Sequence, residues 1–259
     1  MKKVLIRTEE LTIVSLIINA ILVVALIFGI LLFALNKLGL TLDFMSLMIY
    51  KERIVDGFLM TIALSIASLI ASLTIGILAA VGSYSSIIII QFICHLYVKV
   101  IRGTPLIAQI YLFYYIIGTA FGVSNRFLSG IIILSVFEGA YIAEILRGSF
   151  LSIEKTQLEI ADSVGFTKMQ TIGYVVIPQL VARTLPSLTG QFASIIKDSS
   201  LLSIIAVIEV TQTMREITAT NFQFFEAYLL LSGLYLLLTL PLSYVSERLE
   251  RKYNYANRI

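Results

Sequence analysis

Charge is what this sequence has least of. Only 14% of its 259 residues are Asp, Glu, Lys or Arg, where an ordinary soluble domain carries about 25%. Apolar residues make up 58% of the chain and the mean hydropathy is +0.95. Such a chain belongs in a bilayer, and its apolar runs are unbroken rather than alternating, so helices and not barrel strands must span. The formal charge of +3 is small and its basic residues are scattered between those runs, which leaves no electrostatic footprint for nucleic acid. A single cysteine, Cys94, excludes an internal disulfide and reads as a small buried hydrophobe. The single histidine, His95, has no carboxylates around it at ligand spacing, so no metal site is expected. No glycine is followed by lysine, so the phosphate-cradling loop is missing and the chain should hold no cofactor of its own.

What the sequence does contain is a series of long apolar stretches. Residues 11–36 hold no charge and are long enough to cross about 30 Å of hydrocarbon. That length exceeds a signal-peptide core and no convincing cleavage site follows, which predicts a retained helix. Residues 37–56 read as a mixed polar and amphipathic connection. From 57 to 98 only His95 can ionise, which predicts a second helix to about Gly82, a turn at 83–86 and the start of a third. Ser68, Ser72, Gly76 and Ala80 lie four apart, a small-residue stripe that lets a neighbouring backbone approach, in this chain or in a second copy. Further helices are expected at about 107–117, 130–146, 187–210 and 227–246. The result is an all-α polytopic membrane bundle of about six transmembrane helices. Its expected organisation is an N-terminal helix and connection (1–56), a core (57–246) and a tail (247–259). Six spans put both termini on one side of the membrane. That side carries eleven Lys and Arg in its segments against five opposite, so the termini and residues 147–186 should be cytoplasmic.

The polar stretch 153–178 stands out among the apolar runs. Thr156 with Glu159, and again Thr167 with Gln170, read as capping boxes that start short helices. Gly165 can take the left-handed conformation that closes the first, with Phe166 folding back onto it. Pro178 should keep the second from running on unkinked. The prediction is a helix, a glycine elbow and a helix forming a compact knob, against the plainer reading of a solvated loop.

Glu159, Ala161, Gly165, Ile177 and Pro178 match the spacing of the EAA loop of bacterial ABC importer permeases, with Ile160, Val175 and Ile177 as apolar departures. Residues 102–115, 140–150 and 197–210 resemble the polar amino-acid branch of that family in particular. The resemblance implies a translocation subunit with a five-helix core plus one N-terminal helix and a cytoplasmic coupling helix. It further implies a second permease copy or related subunit, a dimer of ATP-binding cassette ATPases holding ATP and magnesium, and an external solute-binding protein. Coupling to the ATPases would fall to Glu159, Ile160, Ala161, Gly165 and Pro178. The substrate path would include Arg102, Thr104, Pro105, Gln109, Glu138, Lys197, Asp198 and Ser199.

The residues themselves allow more than one reading of that path. Arg102-Gly103-Thr104-Pro105 interrupts an apolar run. Thr104 suits an N-cap and Pro105 a first helical position, which describes either a discontinuous membrane helix or a turn before a plain one. Arg102 then faces headgroups or a water-filled cavity. Asp198 falls about 18 Å along a helix counted from Pro186, near the bilayer centre, where ionisable groups persist mostly when paired or lining a polar path. It contacts the substrate's ammonium, orders the cavity with Ser199 and Ser200, or pairs with Lys197, although adjacent helical residues pair poorly. Glu144 and Arg147 read as a local ion pair, while the deeper Glu138 could select a cationic side chain. A secondary transporter or channel shares this composition but normally shows more spans, repeats or a pore signature. A membrane enzyme lacks its nucleophile, base or metal.

Overall fold

The computed structural model describes residues 13–39 and 41–256. The basic N-terminal segment and Arg258 used in the charge count lie outside them. Contact density divides the chain into two units, at Met48 and Ile49. In the first, helix α1 (Ile13–Lys37) covers almost the span expected, and its apolar side chains such as Val24, Ile30 and Phe33 are exposed.

The second unit starts with α2 (Lys51–Gly82), preceded by a short 3-10 turn (Phe44–Tyr50). Lys51, Glu52, Arg53 and Asp56, expected in a connection, form the first two turns of α2 instead. This end of α2 is tied to the segment around α9 by partners that the local sequence does not reveal. Arg53 pairs with Glu216 at 2.5 Å, and the Thr61 hydroxyl accepts from the Val210 amide at 3.1 Å. Helix α3 (Ile88–Gly103) and helix α4 (Leu106–Tyr111), which continues in π-turns (Leu112–Gly118), form a pair bent by 111°. Then follow α5 (Arg126–Leu151), the two knob helices α6 (Lys155–Ser163) and α7 (Lys168–Thr171), and π-turns (Ile172–Val176) that lead into α8 (Ile177–Asp198). A 3-10 segment (Ser199–Ile205), α9 (Val210–Asn221) and α10 (Phe224–Ala256) complete the chain. Among the described residues there is no strand.

Among the described residues, three single stretches, Phe44–Gly82, Arg126–Leu151 and Phe224–Tyr253, are long and apolar enough to cross a bilayer, and the bent pair, taken as one span, makes a fourth. Helix α8 is 22 residues long but more polar, carrying Arg183, Lys197 and Asp198.

The small-residue stripe finds its partner inside the chain. Ser68 and Ser72 are fully buried and Gly76 is buried with them, while Ala79, not the expected Ala80, continues the face. A Cβ on Gly76 would sit 2.5 Å from Ile142 and 3.0 Å from the Gly139 carbonyl, both on α5. The two helices therefore meet backbone to backbone, as bundles do when lipid is as apolar as their side chains. Gly76→Val should drive methyl groups into that backbone at a cost of about 1–3 kcal/mol or more. Thermal unfolding in detergent checks it, with a lowered midpoint expected. Gly29→Ala, where nothing lies within 4 Å, should not lower the midpoint.

The predicted helix over 187–210 breaks in two. Helix α8 ends at Asp198, the chain tightens into the 3-10 turn, and Ala206 takes a left-handed conformation at φ 55°. That reversal brings α9 against the start of α2. Its N-terminus is capped by Glu209, which accepts from the amides of Thr211 (2.8 Å) and Gln212 (2.7 Å) and from the Tyr235 hydroxyl (3.1 Å). The apolar core lies beneath the break, where Leu64, Ile110, Leu134, Ile195 and Leu202 are at most 1% exposed.

Candidate functional site

Residues 153–178 form the predicted knob. Helix α6 ends with Gly165 at φ 85°, the Gly165 amide bonding the Asp162 carbonyl and the Phe166 amide the Ala161 carbonyl, each at 3.0 Å. This paired closure satisfies carbonyls that the helix end leaves over. Phe166 packs toward Tyr174 with ring centroids 6.2 Å apart. Thr167 and Gln170 make both bonds of the second capping box. The first box does not form. Glu154 takes the capping position with no side-chain bond, and the Thr156 hydroxyl turns to the Glu154 carboxylate at 3.5 Å. At Pro178, where the sequence predicts that the helix cannot run on unkinked, the ladder is irregular. The proline sits second in α8, and the π-turns before it shift the hydrogen-bond ladder, so helix runs from Lys168 to Asp198 with no loop between.

Ala161 is buried at 3% exposure, whereas Glu159 and Ile160 face outward. Ile160 (63%), Val164 (65%), Met169 (78%) and Tyr174 (74%) give the knob an apolar surface. Its base is tied to α8: Gln179 donates to Gln157 at 2.5 Å, and Arg183 donates to the Ser152 carbonyl and, at 2.7 Å, to its hydroxyl. An open polar cleft of about 1110 Å³ lies beside this base, bounded by Gln157, Arg183, Ser187, Ser246 and Glu250.

At the other end of α8 two carboxylates meet. Glu138, on α5, is fully buried. One of its oxygens accepts from the Gln191 amide, and the other meets no donor among the described residues. Asp198 is its electrostatic neighbour. Lys197 is exposed and, among the described residues, forms no ion pair, so it does not neutralise Asp198. Ser199 is buried with its hydroxyl returned to the Ile196 carbonyl at 2.7 Å.

The interruption at Arg102 to Pro105 is a real break, placed one residue later than the capping pattern predicts. Proline disfavours helical geometry in the residue before it. Thr104 is accordingly extended and α3 stops at Gly103, while Pro105, itself extended, takes the capping position of α4. The Thr104 hydroxyl donates back to Val100 at 3.0 Å and accepts from Gln109 at 2.7 Å. Gln109 is turned inward at 4% exposure, its amide also reaching the Ile101 carbonyl at 2.8 Å, so it ties the two half-helices together. Arg102 lies 3.6 Å from Glu144 and over the Tyr141 ring, 5.4 Å from its centroid. The expected Glu144 and Arg147 pair forms, at 2.5 Å.

The sequence reasoning passed over Gln191 and Glu209. Gln191 precedes Asp198 by seven residues on the same face of α8, a legible relation, but its partner on α5 is set by tertiary packing.

The inner membrane component of binding-protein-dependent transport systems is a family that matches residues 72–255. Among curated proteins, the chain is 36% identical over 201 residues to the glutamine transport system permease protein GlnP of Escherichia coli, covering 77% of this chain and 92% of that one. It is 35% identical over 198 residues to the L-cystine transport system permease protein TcyB of Bacillus subtilis, covering 76% and 84%. Among solved structures, a crystal structure of an amino acid ABC transporter with histidines superposes with a TM-score of 0.77 at 31% identity, over 82% of this chain and all of that one. The MetNI methionine ABC transporter shares the fold, with a TM-score of 0.63 at 18% identity over 79% of this chain and 97% of that one. The family match begins in the second half of α2 and reaches the last turn of α10, taking in the knob, the bent pair, Glu138 and Asp198, so the chain belongs to the binding-protein-dependent transport system inner membrane components.

Proposed function

We propose that the chain is the translocation subunit of an ATP-driven amino-acid importer, its knob facing the cytoplasm and both termini on that side. The observation that carries this reading is the knob: an apolar, outward-facing surface with Glu159 beside it, fastened at its base to a single helix that leads to Asp198. Exposed apolar surface on a polar segment calls for a protein partner, and here that partner is an ATPase dimer carrying ATP and magnesium. Helix α8 then acts as the lever. Over its 22 residues, about 33 Å, movement at Gln179 and Arg183 carries to Gln191 and Asp198. Substrate arrives from an external binding protein, passes a path built with Glu138 and Asp198 between this chain and a second permease subunit, and leaves on the knob side. Arg102, Thr104, Pro105 and Gln109 frame the bent helix beside it. The chain performs no covalent chemistry.

Reconstitution with the ATPase and binding protein in liposomes tests this. Uptake of radiolabelled amino acids should require ATP inside, on the knob side. Uptake that persists without ATP and follows an imposed ion gradient would make the chain a secondary transporter instead.

A further inference from the structure

Helix α3 carries three different surfaces. Tyr97, Val98 and Ile101 turn into the bundle, the Tyr97 hydroxyl donating to the Val136 carbonyl at 2.6 Å. On the far side Ile89, Phe92, Ile93, Leu96 and Val100 are between 49% and 62% exposed. Between the two runs a basic edge of His95, Lys99 and Arg102, spaced four and three apart and all exposed. Facing this edge, the last turns of α5 present Glu144 and Arg147, with His95 near enough to feel the Glu144 charge. One carboxylate thus serves two guanidinium groups, and Lys99 forms no ion pair among the described residues. The cluster lies at the knob end of the bundle, since α5 closes at Leu151 and the knob begins at Lys155.

These surfaces call for two solvents at once. A helix in water would not leave five large apolar side chains bare, and one among acyl chains would not keep an unpaired lysine. The boundary between hydrocarbon and headgroups supplies both environments, because basic side chains reach the polar layer while the apolar sector stays in lipid. Lys99, Arg102 and Arg147 against the single carboxylate of Glu144 leave an excess of positive charge that favours an anionic headgroup over a zwitterionic one.

We propose that the basic edge of α3 and the end of α5 bind the headgroup of an acidic phospholipid in the leaflet at the knob end, with its acyl chains along Ile93, Leu96 and Val100. Because Arg102 immediately precedes the break at Gly103, a bound headgroup competes with Glu144 for its guanidinium and so bears on the elbow. The site rests on the chain's place in the membrane and not on the transport reading.

Native mass spectrometry of the full-length chain, extracted from bilayers of equal phosphatidylglycerol and phosphatidylcholine, tests it. The wild type should retain phosphatidylglycerol preferentially. The Lys99→Gln, Arg147→Gln double variant should lose that preference by about fivefold per cation removed, with an unchanged unfolding midpoint in detergent. If the double variant does not fold, Lys99→Gln alone, at an exposed and unpaired position, should still show the smaller loss. Equal enrichment in wild type and variant overturns the site, as does a wild type that shows no preference. A Leu96→Cys probe on a Cys94→Ser background separates lipid from protein cover. Little cross-linking between copies is expected in membranes, and efficient cross-linking would mean that a second copy covers this face.

Discussion

Glu159→Lys should abolish uptake and co-purification of the ATPase while leaving the membrane bundle folded. The two halves of this expectation have separate physical grounds. The Glu159 side chain is exposed and, among the described residues, makes no hydrogen bond or ion pair within the chain, so its replacement removes nothing that holds α6 together. The helix keeps its buried anchor at Ala161 and its glycine closure. Docking is another matter. Glu159 borders Ile160 and Val164, so a partner that covers those apolar side chains also covers the carboxylate. Reversing a charge at the centre of a desolvated contact is worth about 2 kcal/mol or more, roughly thirtyfold in Kd. Pull-down of the ATPase with the purified variant, beside transport in liposomes, gives the check. Normal assembly in Glu159→Lys would remove the knob from the docking role, whatever became of uptake.

The knob was legible because its signals are local. Gly165 and Phe166 close a helix through bonds spanning only a few residues, and the box of Thr167 and Gln170 needs nothing beyond its own turn. Thr156 and Glu159 carry the same pattern and fail, because Glu154 is already extended and the helix begins before Thr156 can cap it. The small-residue stripe on α2 was equally readable, since Ser68, Ser72 and Gly76 repeat at helical spacing. That its partner is α5 of the same chain depends on Gly139 and Ile142, more than 60 residues away. Where backbone strain or distant contacts decide, the sequence is silent. Nothing in its pattern marks Ala206 as left-handed, so the expected helix over 187–210 could not be seen to break. At Pro178 the irregularity that a proline predicts takes the form of π-turns just before it, and hydrogen-bonded helix still runs on from the knob to Asp198.

That continuity ends at the second large effect. Glu138→Gln should cost uptake of cationic amino acids about tenfold to a hundredfold, the worth of a hydrogen bond to a charged group (about 1.5–3 kcal/mol), while uptake of neutral ones changes little. Glu138 is fully buried, Gln191 occupies one of its oxygens, and the other meets no donor among the described residues. Asp198 stands beside it, and Lys197, the nearest cation in sequence, points away into exposure. Two neighbouring carboxyl groups, one of them fully buried, repel each other when both are ionised, and a cation between them relieves the arrangement. A substrate ammonium or a basic side chain is such a cation, and glutamine at position 138 keeps the shape while removing half of the attraction. Competition of radiolabelled arginine uptake by unlabelled arginine, lysine and glutamine, in wild type and variant, reads the selectivity directly. If basic and neutral substrates lose ground equally, Glu138 supports the packing of α5 on α8 through Gln191 and does not choose the cargo.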